Sequence, residues 1–547
     1  MYQNDINYSD NSGEVYSFDV FDTVITRCAL SSFGIFAYMQ KQLSLQQYSS
    51  YPIELIRSFQ QIRIDAENRA RKNGEVNHKN EITLRDIYDW IAGNYLLTEK
   101  QLKELMALEE DIELEYSFPI KAVVNEIKEL LSKGKKVIFI SDMYLSYDAI
   151  RRMLIKADKA FAKIPLYVSS EYNATKSKGD LFKIVAAKEN VKYCNWLHAG
   201  DNVTSDVNVP KSLGIKSKHI NYISNDALMR YFDFQLRNNI FSHIYGGCTK
   251  IALMCNNSRN YNIGCKYGAP ILLGYSEWIL DLALRKHIKE IYFIARDGYI
   301  VKRICDNIIK DRGYQLSTKY FYGSRKAFNN KEPQQVDLIK KYIMQEIDLK
   351  QPMILFVDLF GTGNSIEEIA KKIQEVSDGN VCSAYIKRRE CNSNSNIVTK
   401  CEYASRIDIY DNIEIFSSAP EGSCQGYLSD DSGKIKPLRD NEMTKKILDY
   451  GYQDYIDGID KFINIYLRLP YNADYKYCST LDVLGEYIDK INFFPSNELI
   501  QFLLDYPEKK QGIIFKSIRK IELKIKRYKY LMRLIEKRKI FNLIKHN

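Results

Sequence analysis

The chain has 547 residues, 45% hydrophobic and 27% charged, too long for one ordinary hydrophobic core and too apolar for extensive disorder. Eleven scattered cysteines without a C-x-x-C pair, and an opening MYQNDINYSD too polar for a signal peptide, lead us to expect a reducing cytoplasm. The formal charge of +10 lies wholly in the tail: residues 516–547 carry 12 Lys or Arg against 2 acidic residues, and the remaining 515 hold 67 of each sign.

The opening run to about residue 24 reads as a strand, VYSFDVFDTVI, carrying Asp19 and Asp22. From about 28 to 132 the pattern is helical and charged, which predicts a helical insertion. Apolar runs then follow in KKVIFISDMY, KIPLYVSSEY and NWLHAGDN, with helical patterns such as KGDLFKIVAAKEN between them. This alternation predicts an α/β domain over 14–220, with a Rossmann-like parallel sheet and ligands at the carboxyl ends of its strands. Residues 221–262 lose period and read as a boundary. A second α/β domain is expected over 263–435, with strands at EIYFIAR, KYFYGS, MILFVDLF and CSAYIK, followed by a turn-rich loop, APEGSCQGYLSDDSGK. A helical region over 436–547 closes the chain. No membrane span is expected, because the best apolar run, GAPILLGYSEWILDLAL, is interrupted by Glu277 and Asp281.

In the tail over 515–547, Ile518, Ile521, Ile525, Tyr528, Met532 and Ile535 recur at helical spacing, which predicts a basic amphipathic helix. Such a helix fits packing on its own domain or peripheral contact with an anionic membrane surface. No specific nucleic-acid partner is expected.

Four features carry chemistry in order. They are Asp19 with Thr23 four residues on, Ser141 at the end of VIFIS, Lys176 in TKSKGDLF, and AGDNVTSD with Gly200, Asp201, Asn202 and Asp206. Each alone is ordinary, since such residues commonly cap turns or face solvent. Together they resemble the strand-end motifs of the haloacid dehalogenase (HAD) superfamily over roughly residues 14–220. The phrases FDVFDT, FISDMYL and SSEY…TKSKGDLF further resemble a bacterial group of HAD hydrolases with a long C-terminal extension, associated with capsule and O-antigen synthesis.

The resemblance implies a magnesium-dependent phosphohydrolase acting on a small phosphorylated metabolite such as a sugar phosphate. Asp19 would be the nucleophile, with Ser141 and Lys176 on the phosphoryl group. Mg2+ would sit between the Asp19 carboxylate, the Phe21 carbonyl, Asp201 and Asp206. The insertion matches a HAD cap, with Arg63, Arg69, Glu113 and Glu115 as charged cap candidates, although such residues usually form a helix's wet face. Lys178 could replace Lys176 at a register two residues off. The chain departs from the family at Phe21, where HAD phosphatases carry the general acid/base. Asp22 follows it, and strand alternation turns Asp22 away from Asp19 unless the chain bends there.

In the second half, ILFVDLFGTGNSIEE reads as strand, Gly-rich turn and helix, which presents backbone N–H groups to an anion. Asp358, Thr362, Gly363 and Ser365 resemble the ribose-phosphate loop of phosphoribosyltransferases, without its second acidic residue and one residue shorter. Arg296, Asp297 and Arg325 are candidates for the same pocket, or Arg296 and Asp297 for a structural ion pair. Two rival readings stand beside the hydrolase. One is a phosphoribosyl- or glycosyl-type transferase centred on the second domain. The other is a non-catalytic HAD-fold assembly protein of a polysaccharide-synthesis complex.

Overall fold

The computed structural model describes residues 15–222, 226–236, 238–388, 397–405, 411–470, 478–493 and 495–507. The basic tail predicted over 515–547 lies outside them. The chain divides into two compact units, Met1–Met254 and Cys255–Asn547.

The first unit opens with β1 (Val15–Phe18) and β2 (Ile25–Arg27). The single strand expected up to residue 24 is therefore two, because Asp22 takes a left-handed backbone (φ 55°) and the chain turns between them. Four helices follow: α1 (Phe33–Leu43), α2 (Ile53–Val76), α3 (Leu84–Tyr95) and α4 (Glu99–Glu115). Capping boxes start the last two, pairing Thr83 with Asp86 and Thr98 with Gln101. β3 (Ser117–Pro119) then pairs antiparallel with β2, so the insertion leaves and returns through one two-stranded stem. The expected cap extends to residue 132, but α5 (Lys121–Ser132) packs on the core strand β4 (Lys136–Ser141).

After α6 (Tyr147–Ala157) come β5 (Leu166–Val168), α7 (Asp180–Glu189), β6 (Trp196–Gly200) and β7 (Lys216–His219). These complete a parallel sheet of order β5-β4-β1-β6-β7. Its register sets Phe18 beside both Phe139 and Ala199, so Asp19, Ser141 and Asp201 leave the same edge. Helices α8 (Ala227–Gln235) and α9 (Ile240–Leu253) occupy the expected boundary and belong to the first unit. A Cβ on Gly247 would lie 2.3 Å from the Cys28 carbonyl carbon, and one on Gly246 2.1 Å from Leu30. Glycine at these two positions lets α9 lie directly on the segment after β2.

The second unit holds α10 (Ala269–Arg285), β8 (Glu290–Ile294), α11 (Gly298–Arg312), β9 (Ser317–Phe321), α12 (Pro333–Glu346), β10 (Met353–Val357), α13 (Asn364–Gln374), β11 (Asn380–Tyr385) and β12 (Val398–Glu402). Its sheet is again parallel, in the order β12-β11-β10-β8-β9. The α/β class expected for both halves stands. The stretch read as a turn-rich loop instead forms an antiparallel hairpin, β13 (Cys424–Ser429) and β14 (Ile435–Arg439). Asp430 closes its turn by accepting from the Ser432 and Lys434 amides, and Tyr427 anchors it at 2% exposure. No helix among the described residues is long and apolar enough to cross a membrane.

Candidate active site

Asp19 follows β1 and is 7% exposed. Its carboxylate accepts from Thr23 Oγ1 at 3.2 Å and from Lys176 Nζ. The same ammonium donates to Asp206 Oδ1 at 2.6 Å, so Lys176 joins two carboxylates 187 residues apart in sequence. Lys178, the alternative to Lys176, donates its ammonium to Asn80 Oδ1 on the exposed surface. Oxygens of Asp19, Asp201 and Asp206 all lie within 4.8 Å of one another. Asp206 sits on the turn Val203–Asn208, against Gly200, where a Cβ would fall 2.5 Å from the Asp206 Cγ. That contact explains the glycine of GDNVTSD. Asn202 shapes the turn, accepting from the Thr204 and Ser205 amides and donating its own amide to Asp206 Oδ2. Ser141 ends β4, 1% exposed.

Burial, aided by Asp206 and Asp201, pushes the Asp19 carboxyl up to about 8 against the pull of Lys176. Asp201 is pushed up to about 6 by burial and by Asp22 and Asp206. Asp206 moves the other way, because Lys176 and His198 outweigh its burial. Lys176 is raised, its burial outweighed by Asp19 and Asp206. Three carboxylates thus face one ammonium, and this oxygen-rich, net-negative set suits a hard divalent cation.

Two residues of this centre escaped the sequence reading. His198 on β6, fully buried, pairs its Nε2 with Asp206 Oδ1 at 3.2 Å and its Nδ1 with Ser17 Oγ at 2.7 Å. Trp196 Nε1 donates to the same hydroxyl. Burial lowers the His198 pKa, so the ring is neutral, and the Asp206 carboxylate selects the Nε2–H tautomer. Asp142 accepts the Lys176 backbone amide at 2.8 Å and holds its loop. His198 sits among buried strand residues and reads as core. Asp142 was visible only as the residue after Ser141.

Asp22 stands apart from the metal-type cluster and accepts from Thr26 Oγ1 at 2.7 Å. It lines a cavity of about 330 Å³ together with Asp201, Arg230, Asp233 and Lys250. The ring of Phe21 lies under the Arg27 guanidinium. Arg63 and Glu113 are not a wet face, since both are fully buried. Arg63 pairs with Glu109 at 2.7 Å, and Glu113 binds Arg27 through both its oxygens. The Arg69 guanidinium lies over the Trp90 ring, and burial raises Glu115.

In the second unit Arg296, Asp297, Arg325, Asp358, Thr362, Gly363 and Ser365 all line one cavity of about 250 Å³.

No protein-family model and no curated protein matches the chain. Among solved structures it is similar to L-2-haloacid dehalogenase from Xanthobacter autotrophicus, at 13% identity and TM-score 0.29, over 41% of this chain and 83% of that one. A HAD family enzyme from Bacteroides thetaiotaomicron aligns at 15% identity and TM-score 0.27, over 40% and 97%. A hydrolase from Streptococcus pneumoniae TIGR4 aligns at 16% identity and TM-score 0.23, over 41% and 100%. What the chain is similar to, over about two fifths of its length, is a set of HAD-family dehalogenases and hydrolases.

Proposed function

We propose that the first unit is a HAD-type phosphohydrolase acting on a small phosphorylated metabolite such as a sugar phosphate. The observation that carries this reading is the Lys176 ammonium held between Asp19 and Asp206, with Asp201 completing the carboxylate trio at the sheet edge. Phosphate monoesters resist anionic nucleophiles, so a positioned carboxylate beside concentrated positive charge is what their cleavage needs.

In the proposed reaction an Asp19 oxygen attacks phosphorus and the ester P–O bond breaks, giving an aspartyl-phosphate and an alkoxide protonated by solvent. Water then cleaves the acyl phosphate, restoring the carboxylate and releasing phosphate. Lys176 balances charge on the nucleophile and the phosphoryl oxygens, Thr23 orients Asp19, and Ser141 donates to a phosphoryl oxygen. Asp19, Asp201, Asp206 and the Phe21 carbonyl would hold Mg2+, which supplies charge neutralisation at the phosphoryl group. The cavity beside Asp201 would take the leaving group. The phrases FDVFDT and SSEY…TKSKGDLF support a place in surface-polysaccharide synthesis, and glycosyltransferase genes beside this one are the corresponding expectation.

The test is phosphate release from sugar phosphates with Mg2+, abolished in Asp19→Asn. Undiminished release in that variant would remove the mechanism.

A further inference from the structure

The second unit has a cavity of its own at the point where its sheet reverses direction. From β8 the chain moves outward to β9, and from β10 it moves the opposite way to β11 and β12. Between such neighbours a crevice opens at the carboxyl ends of the strands. Arg296 and Asp297 follow β8 there, and Asp358 follows β10. The loop from Phe360 to Gly363 then enters α13, whose residues Ser365 and Ile366 line the cavity, while the Asn364 amide donates to Thr362 Oγ1.

Two observations point to an occupant. Tyr385, at the end of β11, is fully buried and lines the cavity, and its hydroxyl, which has the Ser383 hydroxyl as its neighbour on the same strand face, makes no hydrogen bond of full geometry among the described residues. It lies beside the loop glycine, since a Cβ on Gly363 would sit 3.5 Å from that oxygen. A buried hydroxyl without a hydrogen bond of full geometry carries a desolvation cost that a ligand acceptor would remove. Second, Arg325 lines the same cavity from the start of another helix, and no ion pair ties it down among the described residues. A helix N-terminus, a tyrosine O–H and a guanidinium converge as donors for a phosphoryl group. Asp297 and Asp358 line the same space as acceptors for hydroxyl groups. They are not part of a three-residue metal cluster, the trio of the first unit being the one found among the described residues. A volume of about 250 Å³ suits one small metabolite.

We propose that this cavity binds a phosphorylated polyol, its phosphoryl group on the α13 N-terminus, Tyr385 and Arg325, and its hydroxyls on Asp297 and Asp358.

Full-length Asp19→Asn protein, titrated calorimetrically with ribose 5-phosphate and glucose 6-phosphate, tests this without turnover. At least one sugar phosphate is expected to bind a site that Arg325→Ala removes and that Tyr385→Phe weakens about fivefold, the worth of one hydrogen bond. Inorganic phosphate is expected to bind that site at least tenfold more weakly. Because Tyr385→Phe deletes one exposed-to-ligand oxygen and no packing volume, its effect is readable even if the arginine variant is unstable. In the Asp19 background both variants are expected to keep any first-unit binding, and with Asp19 intact they are expected to keep hydrolysis, which separates this site from the hydrolase. Binding of neither sugar phosphate, titrations identical in all variants, or phosphate binding as tight as the sugar phosphates would overturn the proposal.

Discussion

The guanidinium of Arg27 lies 4.2 Å from the centre of the Phe21 ring. Glu113 anchors that guanidinium with two hydrogen bonds, so the space two residues past Asp19 is filled by an aromatic face under a neutralised cation. No carboxylic acid stands there to protonate a leaving group. A positioned general acid contributes about 10² to 10⁴ in rate, so the reaction should depend steeply on leaving-group quality. We expect kcat/KM for p-nitrophenyl phosphate to exceed that for simple alkyl phosphates by about two to four orders of magnitude. Equal values would mean that another residue supplies the proton.

Cation binding should be pH-dependent with a defined sign. Protons compete for the same oxygens, with Asp19 pushed up to about 8 and Asp201 to about 6. Apparent Mg2+ affinity should therefore rise from pH 5 to 8, by up to about tenfold per unit for each proton displaced. Calorimetric titration of Mg2+ at pH 6, 7 and 8 measures it, and a flat profile would contradict the carboxylate cluster as the binding site.

The sequence reading takes Asp19, Thr23, Lys176, Asp201 and Asp206 from the order of their motifs, and the structure sets Lys176 between Asp19 and Asp206 with Thr23 on Asp19 and Asp201 in the same acidic trio. Asp22 was legible only conditionally, since nothing in FDVFDT fixes a left-handed residue. Charged residues on the insertion helices were not legible at all. Arg63 reads as wet surface until Glu109, 46 residues on, meets it inside. Lys250 lies on α9, after the last motif, and only packing at Gly246 and Gly247 brings that helix to Asp22. The hairpin of β13 and β14 was hidden by glycines and aspartates that suit either a loop or a tight turn.

His198 gives a stability signature. Burial depresses its folded pKa below the unfolded value of about 6.5, so on acidification the unfolded chain takes up the proton first. The contribution is fully present above about pH 6.5 and is lost as pH falls below it, at up to about 1.4 kcal/mol per unit. Urea unfolding should show wild type losing up to that much more than His198→Gln between pH 6.5 and 5.5. Identical pH dependences would mean that folding does not shift the titration of the ring.

The insertion is held by a buried ion pair. Arg63 and Glu109 side chains are both fully buried, and Tyr88 donates to the same carboxylate at 2.7 Å. Removing one partner leaves the other charge unpaired in the interior, which costs about 3 to 5 kcal/mol. Glu109→Ala should show that loss in urea unfolding. A loss under about 1 kcal/mol, the scale of exposed pairs, would mean solvent reaches the site.

Lys250 supplies the last expectation, about substrate choice. It lines the cavity that Asp22 and Asp201 share, burial lowers its pKa with Asp22 the first charge opposing that, and among the described residues no ion pair holds its ammonium. Of the cavity's carboxylates, Asp22 accepts from Thr26, Asp226 from the Leu228 amide and Asp233 from Ser31, and Asp201 belongs to the acidic trio with Asp19 and Asp206. The Lys250 ammonium and the Arg230 guanidinium are the cavity's two cations, and Lys250 is the one beside Asp22. A hydrogen bond to a charged group contributes about 1.5 to 3 kcal/mol, so Lys250→Met should raise KM for substrates with a second anionic group by about 10- to 100-fold. For p-nitrophenyl phosphate, which has no such group, KM and kcat should stay near wild type. A uniform fall in kcat on both substrates would instead place Lys250 at the reacting phosphoryl group.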